Sequence, residues 1–300
     1  MRAVRFGEYG GPEVLRVEEV DEPHAGAGQV RVAVRAAGVN AADWKIRAGY
    51  AREQMPLPLP FGTGLDAAGV VDEVGEGVSG VRVGDAVLGS GSATYAEYAV
   101  LTSWVLKPER LSFEEAAGYP VPVGTAVRIL NQLAVQPGQT ILVSGAAGGV
   151  GSAVVQLAVA RGIAVIGTAS ERNQDYVRSL GATPTVYGQG FVDRVREIVA
   201  ARVDAAFDIA GAGVIPELIE LTGDPSRVLS IADYSAPEHG AAVAAPGGDP
   251  VAALTEAARL FTEGKFHIPV EQTFTLDQAS DAQGASAAGH VAGRYIITVA

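Results

Sequence analysis

The chain has 300 residues, 48% of them hydrophobic and 19% charged, which suits one large or two ordinary domains with a sizeable core and excludes a disordered chain. Twenty-two basic residues against 34 acidic ones leave a net charge of −12 with no dense Lys/Arg cluster, so nucleic acid and anionic membrane surfaces are excluded as expected partners. There is no cysteine, which rules out disulfides, thiolate nucleophiles, zinc thiolates and iron–sulfur clusters and fits a reducing cytoplasm.

In chain order, residues 1–11 lack the apolar core of a signal peptide. Short runs at 3–6, 15–19, 30–37, 69–74, 86–89 and 94–100, separated by glycine and proline, predict β-structure, and 30–35 alternates as a half-buried strand does. Many short strands with such punctuation predict a small barrel or sandwich. Ser112, three residues before Glu115, reads as a capping box that opens a helix.

From there the chain alternates. Helices are predicted at 125–134, 150–161, 174–180, 192–200 and 214–221, and strands at 141–144, 164–168, 185–187, 203–209 and 227–231. That order calls for a parallel sheet covered on both faces. Residues 233–250, rich in Gly, Pro and Ala, read as loop; a helix at 251–263, a strand at 268–270, a helix near Asp277 and a strand at 295–299 complete the chain. The tail is expected to rejoin the N-terminal β-structure.

The most informative stretch is Gly145-Ala146-Ala147-Gly148-Gly149-Val150-Gly151, between an apolar β-branched run and a proline-free helical one. Glycines there let bare backbone approach a pyrophosphate and aim the first N–H groups of the helix at the anion, although a tight turn in any doubly wound domain has the same form. Residues 141–160 carry no charge over a membrane-spanning length, but the central glycines and Ser144, Ser152 and Gln156 fit a buried strand-turn-helix. No two of His24, His239, His267 and His290 have ligand spacing, and each reads as a solvated residue.

The β-rich first third, the glycine turn and the returning tail together resemble the medium-chain dehydrogenase/reductase superfamily over essentially the whole chain, and most closely its zinc-free quinone oxidoreductase branch, the zeta-crystallin-like proteins. Gly138-Gln139, Leu142, residues 146–151 and Gln156 follow that branch's signature; Val159 departs from it, standing where a basic residue or serine is usual. The resemblance implies an α/β fold: a GroES-like β-rich catalytic domain at 1–118, a Rossmann doubly wound parallel sheet domain at 119–262, and a return to the catalytic domain at 263–300. It also implies a homodimer.

Residues 38–43, Gly-Val-Asn-Ala-Ala-Asp, are similar to the branch's Gly-Val-Asn segment, and residues 62–69 occupy the place of the Gly-His-Glu zinc motif of alcohol dehydrogenases. Leu65 replaces the histidine there, and Asn40 stands where those relatives carry a cysteine ligand; an aliphatic side chain cannot ligate zinc. Without a Lewis acid, a quinone or an α,β-unsaturated carbonyl suits hydride transfer better than a simple alcohol, because conjugation spreads the developing charge. The resemblance places Asn40 and Asp43 at the catalytic cleft, with Lys45 in place of a common tyrosine and Tyr50 restoring a phenol nearby. Lys45 and Arg47 fit a solvated face equally well, and Asp66 reads as a structural acceptor in a glycine turn.

The strand at 164–168 has no carboxylate at its end, where NAD-binding folds hold the ribose 2′-OH. Glu171 follows several residues later, flanked by Ser170 and Arg172, which can supply a hydroxyl and a guanidinium to the 2′-phosphate of NADP; Tyr187 matches a tyrosine the family uses there. The expected cofactor is therefore NADPH, held by Gly145, Ala146, Ala147, Gly148, Gly149, Val150 and Gly151 and by Ser170, Arg172 and Tyr187. By resemblance Thr125, Gly211, Ser230 and Ile231 also contact it. The expected activity is hydride transfer from NADPH to quinones; the alternatives are an NADPH-dependent enone or enoyl reductase and a non-catalytic NADPH-binding sensor or structural protein.

Overall fold

Short β-branched runs broken by glycine and proline turns become the strands of the N-terminal third. In the computed structural model, which describes residues 1–199 and 202–299, β1 (Arg2–Phe6) pairs antiparallel with β2 (Leu15–Glu19). Then come β3 (Val30–Gly38) and α1 (Ala41–Arg47), a helix inside a region read from sequence as mostly β. β4 (Phe61–Gly62) pairs with β1, and β5 (Asp66–Val74), β6 (Ala86–Gly91) and β7 (Tyr98–Leu106) follow. Because β3 pairs with both β5 and β7, the run β3-β5-β6-β7 closes on itself. Val30, Val32 and Val34, the alternating positions of β3, meet Val71, Val87 and Leu101 in its core.

The strand expected at 94–100 starts only at Tyr98. The preceding residues bond elsewhere: Val4 donates to the Tyr95 carbonyl at 2.8 Å and Tyr95 to that of Thr63 at 3.1 Å, which seats the Tyr95 ring in the core. The capping box opens α2 (Phe113–Ala117): Ser112 Oγ accepts from the Glu115 N–H at 3.1 Å, and Glu115 Oε2 from the Ser112 N–H at 3.0 Å.

α3 (Pro120–Gln132) begins five residues before the expected helix, with prolines confined to its first turn, where a missing N–H costs nothing. After it, strands and helices alternate: β8 (Thr140–Ser144), α4 (Gly149–Ala160), β9 (Ala164–Ala169), α5 (Gln174–Ser179), β10 (Thr183–Val186), α6 (Phe191–Ile198), β11 (Ala205–Asp208), α7 (Ile215–Thr222), β12 (Val228–Ser230) and β13 (Ala242–Val243). The strands form one parallel sheet in the order β10-β9-β8-β11-β12-β13, a doubly wound arrangement whose order reverses between β8 and β11. Leu142, Ile166, Ala206 and Val228 carry its core toward α6 and α7. Ala200, the end of the expected helix 192–200, lies outside the described residues. β13 falls within the expected loop 233–250, a two-residue strand too short to show a period.

α8 (Pro250–Thr262), β14 (Val270–Thr275), α9 (Ala279–Ala288) and β15 (Arg294–Thr298) complete the chain. β15 runs antiparallel to β3 and parallel to β14, so the tail rejoins the N-terminal sheet as expected. Two units result: Met1–Val121 with Pro250–Thr262 and His267–Ala300, and Pro122–Asp249 with Glu263–Phe266. Helix α8, assigned from sequence to the dinucleotide domain, groups with the first unit and packs against β7. Among the described residues no helix is long and apolar enough to cross a membrane.

Candidate active site

The glycine turn joins β8 to α4 at the carboxyl edge of the parallel sheet, where doubly wound folds bind ligands. Gly145 has φ +83°, a left-handed conformation that favours glycine; its N–H donates to Thr168 Oγ1 at 3.2 Å and that of Ala146 to the Thr168 carbonyl at 2.9 Å, tying the turn to the end of β9. A side chain at Gly151 would collide with the Gly145 carbonyl oxygen, so the helix can approach the turn only because this residue has none. Gly148 caps α4 through no side chain, and a Cβ added to it would meet nothing nearer than 3.9 Å. The leading N–H groups of α4 have no intrahelical acceptor, and the space beside Gly148 is open, which fits a pyrophosphate.

β9 and β10 are adjacent and parallel, with Ala169 opposite Val186, so Ser170 and Tyr187 are the residues that directly follow the last paired positions of two neighbouring strands. Ser170 is partly exposed at the start of a short 3₁₀ turn that continues through Glu171 and Arg172, both exposed; Tyr187 is 49% exposed. A hydroxyl, a guanidinium and a phenol therefore stand at neighbouring strand ends, the donor set a 2′-phosphate takes.

At the next strand ends sits a residue the sequence reading passed over. Asp208, fully buried at the end of β11, accepts from the Gly211 N–H at 2.9 Å through Oδ1 and from Ser230 Oγ at 2.7 Å through Oδ2. Ser230 Oγ in turn accepts from the N–H groups of Ala232 (3.1 Å) and Asp233 (2.8 Å), and the Ile231 N–H donates to the Asp208 carbonyl at 3.0 Å. Gly211, Ser230 and Ile231 are thus brought together by Asp208, the first two through its carboxylate and Ile231 through its backbone carbonyl. Thr125 lies inside α3, in its second turn, and not at a helix start where it would be a cap.

In the first unit, Asn40 and Asp43 fall into a buried polar network. Asn40 Nδ2 donates to Asp66 Oδ2 at 3.0 Å, and its Oδ1 accepts from Arg294 Nη2 at 2.9 Å. Asp43 Oδ2 accepts from the Asn40 N–H and from the Tyr95 hydroxyl, both at 2.8 Å, and Asp66 Oδ1 from the Val121 N–H at 3.0 Å. Asp66 is 0% exposed and Arg294 6%, with 3.4 Å between Arg294 Nη2 and Asp66 Oδ2. Desolvation dominates the carboxyls: it pushes Asp43 up to about 6 despite its hydrogen bonds, and Asp66 up to about 7 despite Arg294. Burial likewise pulls the Arg294 guanidinium below its ordinary value, against the pull of the two carboxylates.

Lys45 and Tyr50 are held apart from that network, around one indole. Lys45 Nζ lies 5.7 Å from the Trp44 ring centroid, and the Tyr50 ring meets Trp44 edge-on at 5.7 Å, with Tyr50 itself 69% exposed. Arg47, read equally as a solvated residue, is buried: it donates to Gln283 Oε1 at 2.7 Å and to the Gly10 carbonyl at 2.6 Å. No spacing rule could have paired Arg294 with Asn40 or Gln283 with Arg47, because each contact spans more than 200 residues. Among the described residues no group of three or more His, Cys, Asp or Glu side chains is placed to hold a metal ion.

Comparisons with known proteins agree with this fold. Residues 26–110 match the alcohol dehydrogenase GroES-like domain and residues 149–244 the zinc-binding dehydrogenase family, which here spans the glycine helix and the rest of the parallel sheet. Human quinone oxidoreductase is 35% identical over 242 residues, covering 77% of this chain and 73% of its own length. The quinone oxidoreductase structure from Coxiella burnetii superposes with a TM-score of 0.88 at 29% identity, covering 100% of this chain and 99% of that one. A mycobacterial structure complexed with NADPH gives a TM-score of 0.86 at 26% identity over the full length of both chains. With a closed β-unit, a doubly wound sheet opening on a glycine turn, and asparagine and leucine at the two positions where zinc enzymes carry ligands, the chain belongs to the zinc-free quinone oxidoreductase branch of the medium-chain dehydrogenase/reductase superfamily.

Proposed function

We propose that this chain is an NADPH-dependent oxidoreductase that transfers a hydride to quinones without zinc. The observation that carries the reading is the pair of neighbouring strand ends beside the glycine turn, which offer Ser170, Arg172 and Tyr187 and no carboxylate directly at the end of β9. NADPH, when bound, supplies the hydride. The chain's own residues bind and orient: the first turn of α4 takes the pyrophosphate, the Ser170–Arg172 turn and Tyr187 the 2′-phosphate, and Asp208 holds the loop of Gly211 against that of Ser230 and Ile231.

Quinone reduction also needs a proton and a donor to the oxygen on which charge develops. Lys45 and Tyr50 fill that role in this reading, while Asn40 and Asp43, committed to Asp66, Arg294 and Tyr95, position the start of α1. Asn40 and Leu65 offer neither thiolate nor imidazole, and a conjugated acceptor needs only hydrogen-bond donors. A homodimer, by family resemblance, and a cytoplasmic location, from the absence of cysteine, complete the proposal.

NADPH and NADH oxidation followed against benzoquinone, naphthoquinone, alkenals and enoyl thioesters tests it. Quinones should be turned over with a lower KM for NADPH than for NADH. A KM for NADH equal to or below that for NADPH sinks the cofactor assignment. Turnover of enones alone makes the chain an enone reductase, and nucleotide binding without oxidation across the panel makes it a non-catalytic binder. A well-placed oxyanion donor is worth roughly 3 kcal/mol in other enzymes, so Lys45→Ala or Tyr50→Phe should lower quinone turnover at least several-fold; unchanged kinetics in both remove them from the site.

A further inference from the structure

Two side chains that contribute to none of the roles above bind the backbone on which Ser170, Arg172 and Tyr187 stand. Gln174, the first residue of α5, donates from Nε2 to the carbonyls of Ala169 (3.0 Å), Ser170 (3.2 Å) and Thr185 (3.2 Å). The first two lie at the exit of β9 and the third near the exit of β10, so one amide staples the two strand ends together. Arg194, on α6, donates from Nη1 to the Gln189 carbonyl at 2.8 Å and from Nη2 and Nε to that of Val186 at 2.9 and 3.3 Å. Longer contacts reach the carbonyls of Tyr187 (3.5 Å) and Gly188 (3.4 Å), so its planar fork follows the backbone of the loop on both sides of Tyr187.

That loop has every reason to be loose without such a clamp. β10 is an edge strand, with β9 on one side only. Tyr187 is followed by Gly188 and Gly190, both at positive φ, and residues 187–190 are all exposed. A staple across the strand exits and a fork along the loop fix the spacing between the hydroxyl and guanidinium on one side and the phenol on the other.

We propose that Gln174 and Arg194 are positioning residues that set the preference for NADPH over NADH, by holding Ser170, Arg172 and Tyr187 at the separation a ribose 2′-phosphate requires. The inference rests on the NADPH reading above. Neither side chain needs to touch the nucleotide. Their effect passes through backbone carbonyls, and NADH, which lacks the 2′-phosphate, does not sense it.

The test is a set of equilibrium dissociation constants for NADPH and NADH, read from nucleotide fluorescence without turnover, together with Tm, for the full chain and its Gln174→Leu, Arg194→Met and Arg172→Ala variants. Gln174→Leu and Arg194→Met should each weaken NADPH binding about tenfold, the scale of one charge-assisted contact, with the NADH constant unchanged. Arg194→Lys, which keeps a charge but not the fork, should fall between wild type and Arg194→Met, and it carries the test with Gln174→Leu if Arg194→Met does not fold. If wild type shows no preference for NADPH, or Arg172→Ala leaves its binding unchanged, the parent reading falls and this inference with it. If Arg172→Ala weakens NADPH alone while the Gln174 and Arg194 variants change both nucleotides equally, or neither, the parent reading stands and the positioning role is overturned.

Discussion

Asp66 lies fully buried between Asn40 and Arg294, with Asp43 near enough to add its own negative charge. Two carboxyls and one guanidinium in a dry site do not balance when all are ionised, and desolvation answers by favouring the neutral acids. Both folded-state values, about 6 for Asp43 and about 7 for Asp66, lie above the ordinary 3.8. A raised acid contributes stability that is complete below its unfolded value and is lost as pH climbs through the folded one. The network should therefore favour the fold most below about pH 4 and lose that contribution between there and pH 7. Asp66→Asn replaces the most perturbed acid with a neutral isostere. Urea titrations at pH 5 and pH 8 should show unfolding free energy falling less between the two in Asp66→Asn than in wild type, and parallel losses would mean that Asp66 is ionised across the whole range.

At the scale of one element, α4 separates glycines that shape the fold from glycines that make room for a ligand. Gly151 is needed for packing, because a methyl there meets the backbone of Gly145 and Ala146. Gly148 is not: its φ of −74° and ψ of 172° suit any residue, and the space beyond it is open. Gly148→Ala should therefore keep Tm within about a degree while weakening NADPH and NADH equally, since both carry the pyrophosphate; Gly151→Ala should cost about 1–3 kcal/mol, as overpacking of a tight site does. Thermal unfolding beside nucleotide titration reads both, and a Gly148→Ala protein that binds normally would move the pyrophosphate away from this turn. This motif was legible in the sequence because its whole argument is local, a strand, four glycines and a helix within residues 140–160. β7 and α1 were not: the stretch before β7 obeys its pairing with β1 and not its own β-propensity, and α1 is set by a cap at Asn40 and Asp43 inside an otherwise strand-rich region. Gln174 and Arg194 escaped notice for a third reason, that their partners are backbone carbonyls and carry no sequence signature.

Over the whole molecule, the chain leaves its first unit after Val121 and must return to finish it. Alternation and the resemblance foretold that return, but its register could not be read in advance. β15 lies between β14 and β3, with Ile297 opposite Ala37, and that alignment brings Arg294 to Asn40 and Asp66 across 254 and 228 residues. The last strand therefore does two things at once: it covers the backbone of residues 36–38 and delivers the one cation of the buried network described here. Without it, β14 loses its partner, and Asn40 and Asp66 lose the guanidinium that reaches them. Residues 122–249 complete their parallel sheet without β15. A chain ended at Gly289 should therefore be cut by trypsin within residues 1–121 under conditions where the full chain resists, while peptides from 122–249 stay protected in both. Equal protection of residues 1–121 in the two chains would mean that the barrel of β3, β5, β6 and β7 is stable by itself and the returning strand merely decorates it.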